Sequence, residues 1–396
     1  MKTNPTPPIP VQGFLWMGRN IGIKDQSLDF GVLAAAHPCS AAAVFTRNNL
    51  PGAPIIVGRE HAAKGTLQAI VVNSKCANVG LGEQGLQDAR KMCQWTAEAL
   101  KIQPELVLPA STGVIGLPLP MDKIREGTLS IATNLDNSAE AVESFARAIM
   151  TTDTHPKWRN AGSGHASLLG VAKGSGMIEP NMATMLSYLV TDAEIDHSKL
   201  QAMLKRAVDA SFNRISIDTD TSTSDMVVLM ANGMAGGVNE DEFEKNLTGL
   251  CQDLAKDLVR DGEGVTKLIE LKISGADSPQ MAEKIGKSII NSPLIKTAVH
   301  GADPNWGRFV MAVGKVFEHP VRLEELEIRF GLGEKMQAVN SQLLKEEAVK
   351  LESISELLQK DTIPIEVVVG HGDHSETFWG CDLSKGYIDE NAFYTT

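Results

Sequence analysis

Cysteine is sparse in this 396-residue sequence, and its pattern is irregular. The five cysteines are odd in number, scattered and never spaced as CxxC: Cys39, Cys76, Cys93, Cys251 and Cys381. A disulfide framework or a zinc site requires paired cysteines at recurring spacings. The pattern therefore argues against both and favours free thiols in a reducing compartment.

Basic runs and long apolar runs are also missing. The net charge is -12 at pH 7, and no Lys/Arg-rich run occurs, whereas nucleic acids and anionic membranes are bound through basic patches. No stretch approaches the roughly 18 uninterrupted apolar residues that a membrane helix needs. The opening residues MKTNPTPPIPVQGF hold four prolines and no apolar core of a secretory signal. We therefore expect a cytoplasmic protein with neither nucleic-acid nor membrane partners.

The common cofactor and nucleophile motifs are absent as well. No strand candidate is directly followed by GxGxxG, and no GxxxxGK[ST], HExxH or GxSxG occurs. His371 and His374 lie close together in GHGDHSE, but no third ligand is evident, so a solvated turn is the better interpretation. The run DTDTSTSD (218–225) lacks the glycine and terminal glutamate of a calcium loop. We expect no metal and no organic cofactor.

Length and periodicity predict a mixed α/β fold. The chain is longer than one core usually supports, so one large or two packed domains are expected. Helical periodicity predicts helices over 81–100, 138–150, 198–212 and 334–360. Short apolar runs predict strands over 67–73, 104–112, 225–233, 267–275, 326–331 and 364–370. The polar segment 151–165 is expected to be a surface connection, and a domain boundary is expected near 286–296.

A hydroxyl-rich turn follows the predicted strand 104–112. Ser111, Thr112 and Gly113 place hydroxyls and backbone N–H groups at a strand end, where preorganised donors can stabilise a developing oxyanion. A plain turn is the alternative. Three further turns, TTDT (151–154), DTDTSTSD and DGEGVTK (261–267), carry acidic groups that could hold an ammonium group of an amino-acid ligand, and ordinary turns have the same composition.

A second candidate lies in GSGMIEPNMATMLSYLVTDA (174–193), which follows Lys173. No Ser–His–Asp pattern supplies a base for a hydroxyl nucleophile here. If Thr184 Oγ attacks the carbonyl of Ala183 and the chain is cut there, the new α-amine can act as the base. Its ordinary pKa of about 7.7–8.0 leaves a neutral fraction near pH 7. A buried, structural threonine is the alternative.

Taken in order, these segments resemble the ornithine acetyltransferase (glutamate N-acetyltransferase) family. AKGSGMIEPNMATML is the most specific match, and the others are AAVFTRN, STGVIG, AIMTTDT, DTDTSTSD, DGEG, NSPLIKTA, HGADPNWGR and GCDLSKGY. The resemblance implies an α/β fold of the ornithine acetyltransferase/DmpA type with a smaller C-terminal domain. It also implies self-cleavage between Ala183 and Thr184 into an α chain, 1–183, and a β chain, 184–396, associated as an α2β2 tetramer.

The implied reaction is ping-pong acetyl transfer from N2-acetyl-L-ornithine to L-glutamate through acetyl-Thr184, in arginine biosynthesis. Acetyl-CoA is a further candidate donor. By the same resemblance Thr112 and Gly113 form the oxyanion hole. The implied substrate contacts are Thr151, Lys173, Thr184, Glu263, Asn391 and Thr396. Lys173 can pair with an α-carboxylate and Glu263 can face a cation, while Thr152 is an alternative to Thr151 within the motif.

The sequence departs from the family in one loop. Where members commonly read NSGNANACTG, this chain reads NSKCANVGLGEQG (73–85), so Lys75 and Cys76 replace Gly and Asn. A paralogue that acts on another acyl-amino acid therefore stays open. So do an N-terminal-threonine aminopeptidase or amidase, in which water accepts the acyl group, and an uncut protein without enzymatic activity.

Overall fold

The chain divides into two compact units. The computed structural model describes residues 6–179, 185–346 and 349–393. The first unit contains the chain up to Asn213 together with Asp220–Asp261, and the second contains Arg214–Thr219 and the chain from Gly262 onward. The division after Asp261 corrects the boundary predicted near 286–296. That segment spans the end of one helix and the start of the next, with only Asn291 and Ser292 between them, and Ser292 caps the second helix by accepting from Ile295 N–H.

Strands and helices alternate along the described residues. The strands are β1 (Phe14–Arg19), β2 (Phe30–Phe45), β3 (Thr66–Asn73), β4 (Val107–Ser111), β5 (Lys157–Ser163), β6 (Ala166–Lys173), β7 (Leu186–Glu194), β8 (Ile215–Ser216), β9 (Met226–Gly237), β10 (Leu268–Ala276), β11 (Glu327–Phe330), β12 (Gln337–Asn340), β13 (Thr362–Val368) and β14 (His374–Cys381). The helices are α1 (Ala53–Ala62), α2 (Gly82–Leu100), α3 (Met121–Leu129), α4 (Ile131–Asn134), α5 (Ala139–Ala148), α6 (His197–Asp209), α7 (Glu240–Arg260), α8 (Pro279–Ile290), α9 (Pro293–His300), α10 (Trp306–Gly314), α11 (Ser341–Lys345), α12 (Leu351–Leu358) and α13 (Lys385–Phe393). The predicted mixed α/β class is confirmed.

The first unit is built on an eight-stranded mixed sheet. Its order is β4-β3-β2-β9-β7-β6-β5, and β1 also pairs with β2. The β3–β4 and β7–β9 pairs are parallel, whereas the β5–β6 and β6–β7 pairs are antiparallel. Because β3 and β4 are parallel, their carboxyl ends meet at one edge, with Asn73 opposite Ser111.

Both faces of this sheet are buried. Successive side chains of a strand point to opposite faces, so Val72 packs in the cluster that contains Phe145 of α5, while Val71 packs in the cluster that contains Met92 of α2. The Phe145 ring lies 5.1 Å from the Trp16 ring and 5.5 Å from the Tyr188 ring, edge to face in both cases. The sheet is therefore a rigid middle layer that fixes the loops at its strand ends.

The second unit has its own six-stranded sheet and core. The sheet order is β12-β11-β13-β10-β14-β8. Its core contains Leu271 and Ile273 of β10 together with Ile285 and Ile289 of α8. Within the described residues, no helix of either unit is both long and apolar enough to cross a membrane.

Two secondary-structure predictions are wrong. The single helix predicted over 334–360 is replaced by β12, α11 and α12, because Gln337–Asn340 pairs with β11 and the Asn340 side chain caps α11. The surface connection predicted over 151–165 contains β5, which pairs along its whole length with β6. The other predicted strands and helices are confirmed, with end shifts of a few residues.

Candidate active site

The STG turn is fixed by the residue at the end of the neighbouring strand. Ser111 Oγ donates to Asn73 Oδ1 at 2.6 Å, and Thr112 N–H donates to the Asn73 carbonyl at 3.0 Å. Asn73 Nδ2 in turn donates to the carbonyl of Cys76 at 2.9 Å. Asn73 thus ties the loop after β3 to the turn after β4, and Asn73, Cys76, Ser111 and Thr112 are all buried.

Gly113 is required by this arrangement. Its φ of +127° is a conformation that L-residues rarely adopt, and a β carbon here would overlap the backbone of Lys75. Among the described residues none accepts a hydrogen bond from Gly113 N–H. Since Thr112 N–H is already bonded to Asn73, the donors that can face an oxyanion are the Thr112 hydroxyl and Gly113 N–H.

Lys173 lies at the end of β6 and contacts two of the predicted residues. Its Nζ donates to Thr112 Oγ1 at 3.0 Å and to Thr151 Oγ1 at 3.1 Å, and the residue is 8% exposed. An ammonium group only donates, so both hydroxyls accept from it and keep their own protons for other partners. The contact from Lys173 thus turns the Thr112 proton away from the ammonium. It also involves Thr151, the first of the two threonines that the motif left open.

A buried ion cluster lies beside Lys173. Lys157, 1% exposed, places Nζ at 2.7 Å from Asp153 Oδ1 and at 2.7 Å from Asp261 Oδ2. Burial alone would raise the pKa of Asp153, but the ammonium groups of Lys157 and Lys173 outweigh it and lower that pKa to about 2. The pKa of Asp261 is also well below its ordinary value, because bonds from His155 and Lys157 outweigh its burial. Both carboxylates are therefore ionised near pH 7.

This cluster holds the turns that carry Thr151 and Lys173. Asp153 accepts from Thr151 N–H at 3.0 Å and from Gly174 N–H at 2.6 Å. Ser175 Oγ donates to the Asp261 carbonyl at 2.6 Å. The acidic turns were interpreted as contacts for a ligand ammonium, but in the structure Asp153 and Asp261 bind the internal ammonium of Lys157. No local signal marks Lys157, because its two carboxylates come from separate parts of the sequence.

Lys24 is a further cation that the sequence interpretation missed. Its Nζ donates to the carbonyls of Met150 at 2.7 Å and Leu28 at 3.2 Å, so it lies next to the Thr151 turn. The pKa of Lys24 is lowered to about 8, because burial, together with the charges of Lys173 and Lys75, outweighs the opposing effect of Asp29 and Asp153. Lys24, Lys75 and Lys173 thus contribute positive charge around the Lys24 ammonium, which Asp29 and Asp153 partly offset.

The proposed cleavage point and the C-terminal threonine lie outside the described residues. This applies to Ala183, Thr184 and Thr396. Met185, the first described residue after Thr184, is 2% exposed, and its carbonyl accepts from Met226 N–H at 3.1 Å. Leu186 is the register partner of Lys173 in the β6–β7 pair. The chain that follows Thr184 therefore enters the sheet directly opposite Lys173.

Glu263 and Asn391 meet each other in the second unit. Asn391 Nδ2 donates to Glu263 Oε2 at 2.8 Å. Gly264, the residue after Glu263, has a φ of +66°, and a β carbon on it would overlap the backbone at Tyr387. Across the parts of the chain that the structure describes, no group of three or more His, Cys, Asp or Glu side chains could hold a metal ion.

Comparison with known proteins identifies the family. The family model described as the ArgJ family matches residues 16–396. The chain is 47% identical over 389 residues to arginine biosynthesis bifunctional protein ArgJ 2 of Clostridium acetobutylicum, covering 97% of each chain. It is 42% identical over 393 residues to glutamate N-acetyltransferase Oat2 of Streptomyces clavuligerus, covering 99% of each.

Among solved structures, the chain is similar to ornithine acetyltransferase complexed with ornithine from Mycobacterium tuberculosis. That match has 32% identity and a TM-score of 0.40, and it covers 44% of this chain and 94% of the other. The family assignment rests on the sequence matches, which extend over nearly the whole chain. The chain therefore belongs to the ArgJ family of arginine-biosynthesis acyltransferases.

Proposed function

We propose that this enzyme transfers the acetyl group of N2-acetyl-L-ornithine to L-glutamate in a ping-pong reaction. The observation that carries the proposal is the contact of Lys173 Nζ with the hydroxyls of Thr112 and Thr151, beside the N–H of Gly113. The Lys173 ammonium can bind a carboxylate, and both substrates carry an α-carboxylate. The Thr112 hydroxyl and Gly113 N–H beside it can donate to an oxyanion. The relatives named for glutamate acetylation and arginine biosynthesis support the same substrates.

The proposed nucleophile arises by self-cleavage. Thr184 Oγ attacks the carbonyl carbon of Ala183, the peptide C–N bond breaks, and the resulting ester is hydrolysed by water. This leaves a carboxylate on Ala183 and a free α-amine and hydroxyl on Thr184. The burial of Met185 supports the proposal, because it anchors the new chain end one residue after the nucleophile.

The two half-reactions use one site. Thr184 Oγ attacks the acetyl carbonyl while its α-amine takes the proton, and the oxyanion accepts from the Thr112 hydroxyl and Gly113 N–H. The C–N bond of the donor then breaks, the amine returns the proton to the leaving nitrogen, and ornithine departs. The amino group of glutamate attacks the acetyl ester, and the hydroxyl of Thr184 is restored. Lys173 binds the α-carboxylate in both halves, and Lys24 and Lys75 add positive potential.

The remaining assignments are proposals from the family motifs. Glu263 faces the side-chain ammonium of ornithine, and Asn391 and Thr396 complete the substrate contacts. The α and β chains stay together after cleavage, since β6 precedes the cut and β7 follows it and the two strands are paired from Leu168–Thr191 to Lys173–Leu186. We propose an α2β2 tetramer in the cytoplasm, where the five buried free thiols would stay reduced.

The test combines chain analysis with an acyl-donor screen. Denaturing electrophoresis with N-terminal sequencing should show a fragment beginning Thr-Met-Leu-Ser. Thr184→Ala should stay intact and inactive, whereas Thr184→Ser should still cut in part because it keeps a hydroxyl. An intact alanine variant with full activity would contradict the mechanism.

Acetate release, measured with and without glutamate, distinguishes transfer from hydrolysis. Both reactions share the first half, and they differ in whether water or glutamate attacks the acyl ester. A transferase releases ornithine much faster when glutamate is present. Acetate formation at one rate regardless of glutamate would assign the enzyme as a hydrolase. A screen of other N-acyl-amino acids and acetyl-CoA tests whether the Lys75 loop has changed the donor.

A further inference from the structure

The DTDTSTSD motif has no role in the reaction described above, yet the segment from its Asp220 to Met226, the residue after it, contacts both sides of the proposed cut. Here residues 220–226 are called the brace segment. Its Asp220 carbonyl accepts from Glu179 N–H at 2.9 Å, and Thr221 Oγ1 donates to the Glu179 carbonyl at 3.0 Å. At its other end, Met226 N–H donates to the Met185 carbonyl at 3.1 Å. Glu179 and Met185 are the described residues nearest to the Ala183–Thr184 bond on either side.

The brace segment is itself held by the AAVFTRN motif, which also lacks a role in the reaction. Thr46, fully buried, donates from Oγ1 to the Ser222 carbonyl at 2.7 Å. Asn48 Nδ2 donates to the Thr221 carbonyl at 2.8 Å. Backbone bonds from Thr46 N–H to the Asp225 carbonyl and from Gly52 N–H to the Thr223 carbonyl, at 3.0 and 2.9 Å, complete the attachment. The segment is thus fixed to β2 and to the start of α1.

We propose that the brace segment is a positioning element for self-cleavage, with Thr221 as its positioning residue for the α-chain side. An intramolecular attack is fast only when the reacting atoms are held close to the attack geometry, and small displacements slow it strongly. A segment fixed at both ends to one rigid support has fewer conformations than one fixed at a single end. This inference rests on the proposed self-cleavage and goes beyond it, because it assigns cleavage and transfer to different contacts.

After the cut, the contacts at the two ends of the brace segment differ in their importance for the proposed transfer reaction. Among the described residues, the Thr221 hydroxyl donates to Glu179, which belongs to the α chain. The nucleophile belongs to the β chain and lies one residue before Met185, which is anchored by Met226. Loss of the Thr221 hydroxyl therefore slows cleavage but leaves the cleaved enzyme unchanged. A residue with a general structural role would lower stability and affect both steps together.

The experiment compares Thr221→Val with Thr221→Ser in the full chain. Valine keeps the shape of the side chain and removes the donor, while serine keeps the hydroxyl. We expect precursor cleavage, followed by intact mass over time, to slow about tenfold in Thr221→Val, the effect of one lost hydrogen bond at the transition state. Thr221→Ser should cleave within about twofold of the wild type. After complete cleavage, kcat and KM for N-acetylornithine should match the wild type in both variants.

Thr46→Val and Thr46→Ser repeat the comparison one contact further from the cut, with thermal unfolding measured for all four variants. Slower cleavage of Thr46→Val at an unchanged unfolding temperature supports the brace. Wild-type cleavage rates in both valine variants would overturn the inference, as would a parallel loss of cleavage rate and of kcat in the cleaved enzyme. A wild-type chain that is never cut would instead refute the proposed function itself.

Discussion

Two lysines on neighbouring strands of the first unit have opposite surroundings. Lys157, on β5, is opposite Ala172, the residue before Lys173 on β6. Lys157 lies between the carboxylates of Asp153 and Asp261, at 2.7 Å from each. Lys173 donates to the hydroxyls of Thr112 and Thr151. The first ammonium is neutralised by two direct ion pairs. The second donates to hydroxyls that can still donate elsewhere, and its charge also lowers the pKa of Asp153.

This difference indicates a structural role for Lys157 and supports the proposed substrate-binding role of Lys173. A buried charge with paired carboxylates contributes to the fold only while every partner remains, because removal of one member leaves uncompensated charge in a dry site. A lysine that orients hydroxyls leaves their protons available to a substrate, and its own charge suits a carboxylate. The ion cluster thus holds the turns, and in the proposed mechanism the Lys173 contacts face the substrate.

The largest effect is expected where the ion cluster is broken. Lys157→Met should lower the free energy of unfolding by about 3–5 kcal/mol, since two buried carboxylates lose their counter-charge. Guanidinium unfolding measures it. Lys205→Met is the control, because its ion pair with Asp209 lies on the surface and should contribute less than about 1 kcal/mol. Equal losses in the two variants would mean that Lys157 is not a structural charge.

The converse is expected for Lys173. Lys173→Met should reduce kcat/KM for N-acetylornithine about a hundredfold, because a hydrogen bond to a charged group contributes roughly 1.5–3 kcal/mol. The free energy of unfolding should fall less than in Lys157→Met, because Asp153 keeps its direct ion pair with Lys157. Steady-state kinetics and guanidinium unfolding of the same variant measure the two effects. A variant as unstable as Lys157→Met with ordinary kinetics would reverse the two roles.

Acid should weaken the fold through the ion cluster. The pKa of Asp153 is about 2 in the folded state against an ordinary 3.8. A lowered folded pKa contributes stability that is complete above the unfolded pKa and is lost as the pH falls through the folded pKa. About 2 kcal/mol should therefore disappear between roughly pH 4 and pH 2. Unfolding measured across this range tests it, and Lys157→Met should show a much flatter dependence. A wild-type stability that is constant down to about pH 2 would contradict the assignment.

The smallest effect concerns a third lysine, Lys75. Its φ of +87° is unfavourable for any residue with a β carbon. Lys75→Gly should stabilise the protein by about 0.5–1 kcal/mol, because relief of strain exceeds the added chain entropy. Lys75→Ala removes the same charge but keeps the strain. Thermal unfolding should rank glycine above alanine, and equal unfolding temperatures would show that charge rather than backbone conformation is the cause.

Local pattern was sufficient for much of the fold. The apolar run 67–73 forms β3, and the segment 138–150 forms α5, capped by Ser138 as its sequence indicates. The pattern failed where distant pairing decides the outcome. Residues 337–340 suit a helix locally, but the β11 edge pairs with them as β12. Polarity likewise suggested a surface position for Lys157, whose burial depends on carboxylates that only the folded chain brings together.

The candidate site shows the same limit. Thr112, Thr151 and Lys173 were expected from the motifs, and the structure brings these three together. Lys24 and the ion cluster could not be predicted, because their partners lie far away in the sequence. The roles of Glu263 and Asn391 stay predictions, although the two side chains bond to each other in the second unit.

Intact mass spectrometry of the purified chain tests the central claim most directly. The account predicts two fragments, 1–183 and 184–396. With N-acetylornithine alone, the second fragment should gain one acetyl group at its new N-terminal threonine, and addition of glutamate should remove it with formation of N-acetylglutamate. A single uncut chain, or a cut chain that turns over without any acetylated fragment, would contradict it.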